Sequence, residues 1–187
     1  MNRKSKVLAL TCCLALLFCF CVSSLAAEAE PKVGQQIGAV KFAPPISEED
    51  AKYLGLDKVR EFTLKDVTAP YVLVEQFSTT CPHCMTQAPV LNKLFNLVQQ
   101  DAALKGKVKF MAVGQNNDES ALKGWKAFHK VPFPLIPDPK SGLGKALNFS
   151  PYPVTMVMDK NGKIVFVHVG AFESAEEVLK SLKTTLK

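Results

Sequence analysis

The chain has 187 residues, enough for one ordinary domain with a sizeable core. Its 23 basic and 17 acidic residues give a formal net charge of +6. No Lys/Arg-dense block stands out, so the charge reads as solvated surface and not as a nucleic-acid footprint.

The N-terminus carries an export pattern. Arg3, Lys4 and Lys6 precede an uncharged apolar run over residues 7–22, and Ser24-Leu25-Ala26 or Ala27-Glu28-Ala29 supplies small residues for cleavage. A membrane span takes about 20 apolar residues, slightly more than this run offers. The expectation is a removed signal over residues 1–27, with an uncleaved anchor as the alternative and the only route to membrane contact. Lipid attachment is disfavoured, because Cys19 follows Phe18 and Cys21 follows Phe20, where a small residue is wanted. The protein is thus expected in the periplasm or another extracytoplasmic space. Without the leader, 20 basic residues face 17 acidic ones, a net charge of +3.

Residues 28–58 read as a tether and a short helix, with Ser47 as its cap and Gly55 as its stop. Residues 59–187 form the expected domain. Residues 61–64 alternate as an edge strand, and residues 71–77 are an apolar, β-rich strand. Next come Cys81-Pro82-His83-Cys84 and a helix in which Met85, Ala88, Leu91, Leu94, Phe95 and Val98 recur at helical spacing. Pro89 should kink it. A strand follows over 108–113, then a helix over 118–129 with Leu122, Trp125 and Phe128 on one face. Residues 133–136 are short and apolar, and 140–147 offer one or two helical turns. Strands over 154–158 and 163–169 flank Asp159-Lys160-Asn161-Gly162, a hairpin signal. Ala175, Val178, Leu179 and Leu182 mark a closing helix. This order predicts an α/β fold, a mixed central sheet with helices on both faces.

The leader holds Cys12, Cys13, Cys19 and Cys21, so the mature chain keeps two thiols, Cys81 and Cys84. Thiolates attack disulfides and thiols do not. A sulfur at a helix start meets unpaired N–H groups and the positive end of the dipole, which favour its anion. Cys81 is therefore the expected nucleophile, and Cys84, one turn inward, the resolving thiol. Pro82 suits the first helical turn. His83, when charged, would stabilise the thiolate and favour a protein that gives disulfides away. A static disulfide across so small a loop would stabilise little. Zinc wants four ligands, and no second Cys-X-X-Cys exists; haem attachment needs His where Met85 stands. His129 and His168 are isolated and read as structural, so no metal is expected.

With these motifs the chain resembles the thioredoxin superfamily, in particular its exported TlpA/ResA-like branch. The match runs from about Glu61 to Lys187. Its marks are the strand feeding the Cys pair, Pro89 five residues after Cys84, Phe133-Pro134-Leu135-Ile136-Pro137-Asp138, and Tyr152-Pro153-Val154-Thr155 before a hairpin. The resemblance implies a thioredoxin-like fold with a cis Pro153 facing the dithiol, and a Tyr152 backbone that pairs with a substrate strand. Glu75 stands where thioredoxins bury an Asp, which implies a raised pKa and a proton taken from Cys84. Protein thiol or disulfide substrates, a redox partner that resets the dithiol, and no cofactor follow. The branch is mostly reducing, whereas Cys-Pro-His-Cys is typical of the oxidising DsbA family. About 70 residues separate Cys84 from Pro153, too few for a DsbA-type helical insertion. The direction of electron flow therefore stays open. Two other readings exist. One is a peroxiredoxin-like peroxidase, with Ser78 and Val74 against its usual pattern. The other is a copper(I)-binding chaperone that uses the dithiol as soft ligands.

Overall fold

The computed structural model describes residues 28–186. The export signal expected over residues 1–27 lies outside them, as does Lys187. Eleven segments follow in chain order: α1 (Glu48–Leu54), a 3-10 turn (Leu64–Asp66), β1 (Tyr71–Phe77), α2 (Pro82–Gln100), β2 (Val108–Gln115), α3 (Glu119–His129), β3 (Leu135–Asp138), α4 (Gly142–Leu147), β4 (Val154–Asp159), β5 (Ile164–Val169) and α5 (Ala175–Thr185). No helix among the described residues is long and apolar enough to cross a membrane.

The five strands form one sheet in the order β3-β2-β1-β4-β5. β1, β2 and β3 run parallel, while β4 lies antiparallel to β1 and β5 antiparallel to β4. β1 sits in the centre, so its side chains are covered on both faces. Leu73 and Phe77 enter the core under α2, α3 and α5, whereas Val72 and Val74 enter the core under α1 and α4. Each such buried side chain contributes roughly 1.5–3 kcal/mol. The mixed sheet and its two helical layers match the fold class that the sequence predicts.

Within residues 28–58, expected as a tether and a short helix, the helix is α1, and Ile37, Phe42 and Ile46 ahead of it are buried. Ile37 N–H donates to the Gly162 carbonyl and Gly34 N–H to the Ile164 carbonyl, so this stretch lies along the β4–β5 turn. A side chain on Gly162 would come within 2.7 Å of the Gly38 carbonyl. Phe42 is buried and stacks on Phe62 at 5.4 Å. The Tyr53 hydroxyl accepts from Phe110 N–H, in the part of β2 that short β3 does not reach. Burial there pushes the Tyr53 hydroxyl up to about 12.

Several local expectations need correction. Residues 61–64 make one bridge, Phe62 to Phe42, and then turn into the 3-10 segment. The Asp66 carboxylate accepts from the Thr63 N–H and hydroxyl, and this local capping displaces a strand. β3 covers 135–138 instead of 133–136: Phe133 leaves the ladder and packs against Phe95 and Phe110. In α3, Leu122 and Trp125 are buried but Phe128 is 82% exposed. In α2, the inward stripe is Cys84, Gln87, Ala88, Leu91, Leu94 and Val98, and Met85 points outward. Pro89 lies inside α2 without ending it.

Candidate functional site

β1 ends at Phe77, and Ser78, Thr79 and Thr80 lead to Cys81, the N-cap of α2. Pro82 occupies the first turn, where its missing N–H leaves no bond unmade. The Cys81 Sγ accepts from the Cys84 backbone N–H at 3.2 Å, so the cap of this helix is a sulfur. Its thiol lies 3.9 Å from the Tyr152 carbonyl. The Tyr152–Pro153 peptide is cis. Both cysteines are free thiols and buried, Cys81 at 6% and Cys84 at 1% exposure. Cys81 therefore presents only an edge to solvent, and Cys84 none.

Burial pushes the Cys84 thiol well above the ordinary range. Its hydrogen bond with Cys81 acts in the same sense, a Ser78 backbone bond opposes it, and the nearby Glu75 adds to the rise. Glu75 belongs to the Leu73/Phe77 side of β1 and so lies beneath α2. It is 5% exposed, and burial pushes its carboxyl up to about 8 against the weaker pull of Gln87. A cavity of about 10 Å³ is lined by Glu75, Cys84, Phe77, Leu91, Trp125 and Phe133 among others. That is close to the least space that holds one water.

Cys81, Cys84, Glu75, Tyr152 and Pro153 thus converge. His83 does not join them: its side chain is exposed and makes no hydrogen bond to either sulfur among the described residues.

Sequence reasoning missed the amides around the dithiol. Gln87, one turn after Cys84, donates to Glu75 Oε1 at 2.9 Å and to the Thr155 hydroxyl at 3.2 Å, and accepts from Phe172 N–H. Asn117 accepts from Thr79 N–H and donates to the Thr79 hydroxyl, both at 3.0 Å. Gln76 and Gln115 hold the 149–151 loop. A glutamine inside the apolar run of β1 was the signal that could have found this shell.

The sequence pattern of the Redoxin family matches residues 32–184. The chain belongs to the Redoxin family. Within the thioredoxin superfamily this Redoxin is a TlpA/ResA-like protein, similar to the thioredoxin-like protein YneN of Bacillus subtilis. That pair is 30% identical over 117 residues, covering 61% of this chain and 65% of YneN. The thiol-disulfide oxidoreductase ResA of Geobacillus kaustophilus is 25% identical over 128 residues, covering 67% of this chain and 71% of ResA. The match thus spans about two thirds of these relatives' length. In fold, the Redoxin chain is similar to StoA from Bacillus subtilis, with a TM-score of 0.54 at 16% identity over 65% of this chain and 88% of that one. It is also similar to a thiol:disulfide interchange protein from Bacteroides sp., with a TM-score of 0.61 at 18% identity over 84% and 92%.

Proposed function

We propose that this Redoxin is an exported thiol–disulfide oxidoreductase that exchanges a disulfide with protein substrates through Cys81 and Cys84. One observation carries the reading: a sulfur caps α2 at the solvent edge, with a second, fully buried thiol directly beneath it and a carboxyl beside that thiol. The relatives named as oxidoreductases support it.

In the reductive direction the Cys81 thiolate attacks a substrate disulfide. A mixed disulfide forms, and the first substrate sulfur leaves and takes a proton. The Cys84 N–H that faces Cys81 Sγ favours the attacking anion. Cys84 then gives its proton to Glu75 in that carboxyl's ionised form, which gains population as pH rises toward about 8, and attacks Cys81 Sγ. The second substrate sulfur leaves with the electron pair of the broken S–S bond and takes a proton from solvent. The substrate ends as a dithiol and Cys81–Cys84 as a disulfide, which a redox partner resets. Oxidation of a substrate is the same sequence reversed. The Tyr152 backbone beside cis Pro153 pairs with the substrate strand, and Pro82 in the first turn of α2 tunes the dithiol. The relatives named as thiol–disulfide oxidoreductases favour this reading over the copper(I) one.

Insulin reduction with dithiothreitol as electron source tests the proposal. Wild type accelerates it, Cys81→Ser is inert, and Cys84→Ser accumulates a mixed disulfide that dithiothreitol cleaves. A Cys84→Ser protein that traps nothing would overturn the order of attack. The reduction potential then fixes the direction: about −120 mV marks a strong oxidant and about −270 mV a reductant.

A further inference from the structure

β1 and β2 each turn one glutamine away from the dithiol helix, toward the α1/α4 side of the sheet. Gln76 is fully buried and Gln115 is 4% exposed. The Gln76 side-chain amide donates to the Phe149 carbonyl at 3.2 Å and the Pro151 carbonyl at 3.1 Å. The Gln115 amide donates to the carbonyl between them, that of Ser150, at 3.2 Å. Three consecutive loop carbonyls are therefore held by two side chains. The next residue is Tyr152, whose own carbonyl lies 3.9 Å from Cys81 Sγ.

The orientation of both amides follows from chemistry. Backbone carbonyls only accept, so each side chain must turn its NH₂ group toward the loop. That choice leaves Gln76 Oε1 and Gln115 Oε1 buried with no partner among the described residues. A buried acceptor without a partner is costly, and an apolar side chain of the same size would avoid it. The donor ends must therefore matter to this fold. Packing fixes the arrangement further: a Cβ on Gly144 would stand 3.0 Å from Gln115 Oε1, so a glycine in α4 lets that helix close over the amide. The segment that leads into Cys81 has its own holder, since Asn117, two residues after Gln115, ties down Thr79 just before the dithiol.

We propose that Gln76 and Gln115 are positioning residues that set the 149–152 loop over Cys81 and so govern how tightly a protein strand is held, without acting on the sulfur. The proposal rests on the reading of the Tyr152 backbone as the strand-docking edge. It makes β1 a two-sided element. Glu75 serves the proton transfer on one face, and the adjacent Gln76 serves substrate recognition on the other.

The test compares two disulfides on the full chain: insulin, which engages the loop, and a small aromatic disulfide too short to reach it. Gln76→Met and Gln115→Met preserve volume and remove the donors. Each is expected to raise KM for insulin about five- to tenfold while kcat and the small-disulfide rate hold. Equal losses on both disulfides, or no change on either, would overturn the clamp. Should Gln76→Met fail to fold, Gln115→Met gives up a single bond and carries the same comparison. A wild-type protein inert toward both disulfides would instead remove the proposed function, so the two failures read differently.

Discussion

Glu75→Gln isolates the buried carboxyl. Burial pushes this group from an ordinary value of 4.5 up to about 8. The folded protein therefore holds a proton that the unfolded chain has released at every pH between those values. Stability is fully present below 4.5 and is lost as pH rises through about 8. At about 1.4 kcal/mol for each tenfold difference, the ceiling of the loss is about 5 kcal/mol above pH 8, and about 3 kcal/mol is lost by pH 7. Water entering the cavity beside Glu75 and Cys84 would screen part of it, so about 2–4 kcal/mol is the working expectation. The glutamine variant keeps the acceptor that Gln87 bonds but has no charge to bury. Urea unfolding of the reduced proteins at pH 5, 7 and 8.5 should show wild type falling with pH and Glu75→Gln holding level and above it. The same variant should slow the resolving step most near and above pH 8, where wild-type Glu75 is ionised and can take the Cys84 proton. Identical pH–stability slopes in the two proteins would refute the burial argument. Unchanged exchange rates between pH 6 and 8 would remove the proton transfer.

Three further expectations concern packing. Gly55→Ala should cost more than about 2 kcal/mol, since its φ is +87° and a Cβ would lie 2.1 Å from Thr68 Cγ2. Gly34→Ala, at φ +89° with open space around it, should lose only about 1 kcal/mol, and thermal unfolding of the pair separates conformational from steric cost. Lys126→Met strands the buried Asp50 carboxylate that its ammonium holds together with the Phe133 carbonyl, for a loss of about 3 kcal/mol that Asp50→Asn should partly restore. Trp125→Ala should cost about 3 kcal/mol, whereas Phe128→Ser should change stability by less than about 0.5 kcal/mol. Similar losses at the two α3 positions would contradict the placement of that helix.

The features legible in the sequence were those that repeat or punctuate. Alternation and apolar runs located β1, β2 and the β4–β5 hairpin, and helical spacing located α2 and α5. The dithiol needed no structure to be noticed. What escaped were elements decided by competition between a local bond and a ladder. Residues 61–64 alternate as a strand should, yet the Asp66 carboxylate captures Thr63 and turns the chain. Phe128 and Met85 fit apolar stripes but lie on the outer flank of their helices, because Trp125 and Gln87 take the inward positions. A hydrophobic pattern does not mark polar residues at core positions, which hid Gln87, Gln115 and Asn117, whereas Gln76 interrupts the apolar run of β1 and could have been found.

Those same residues show how the fold spends its tolerance for buried polarity. Among the described residues, the buried polar side chains are Asp50, Glu75, Gln76, Ser78, Gln87, Gln115, Asn117 and Thr155. All but Asp50 lie where β1, β2 and β4 approach the dithiol. A core built for stability alone would fill such positions with apolar side chains, since each buried polar group must recover its lost hydration. Here the recovery is incomplete, with the Gln76 and Gln115 oxygens left over. The bonds that are made converge on two loops, 78–80 and 149–152, and on one carboxyl. Loops are ordinarily the mobile part of a domain. Anchoring both loops to the most buried strands holds the backbone on either side of Cys81.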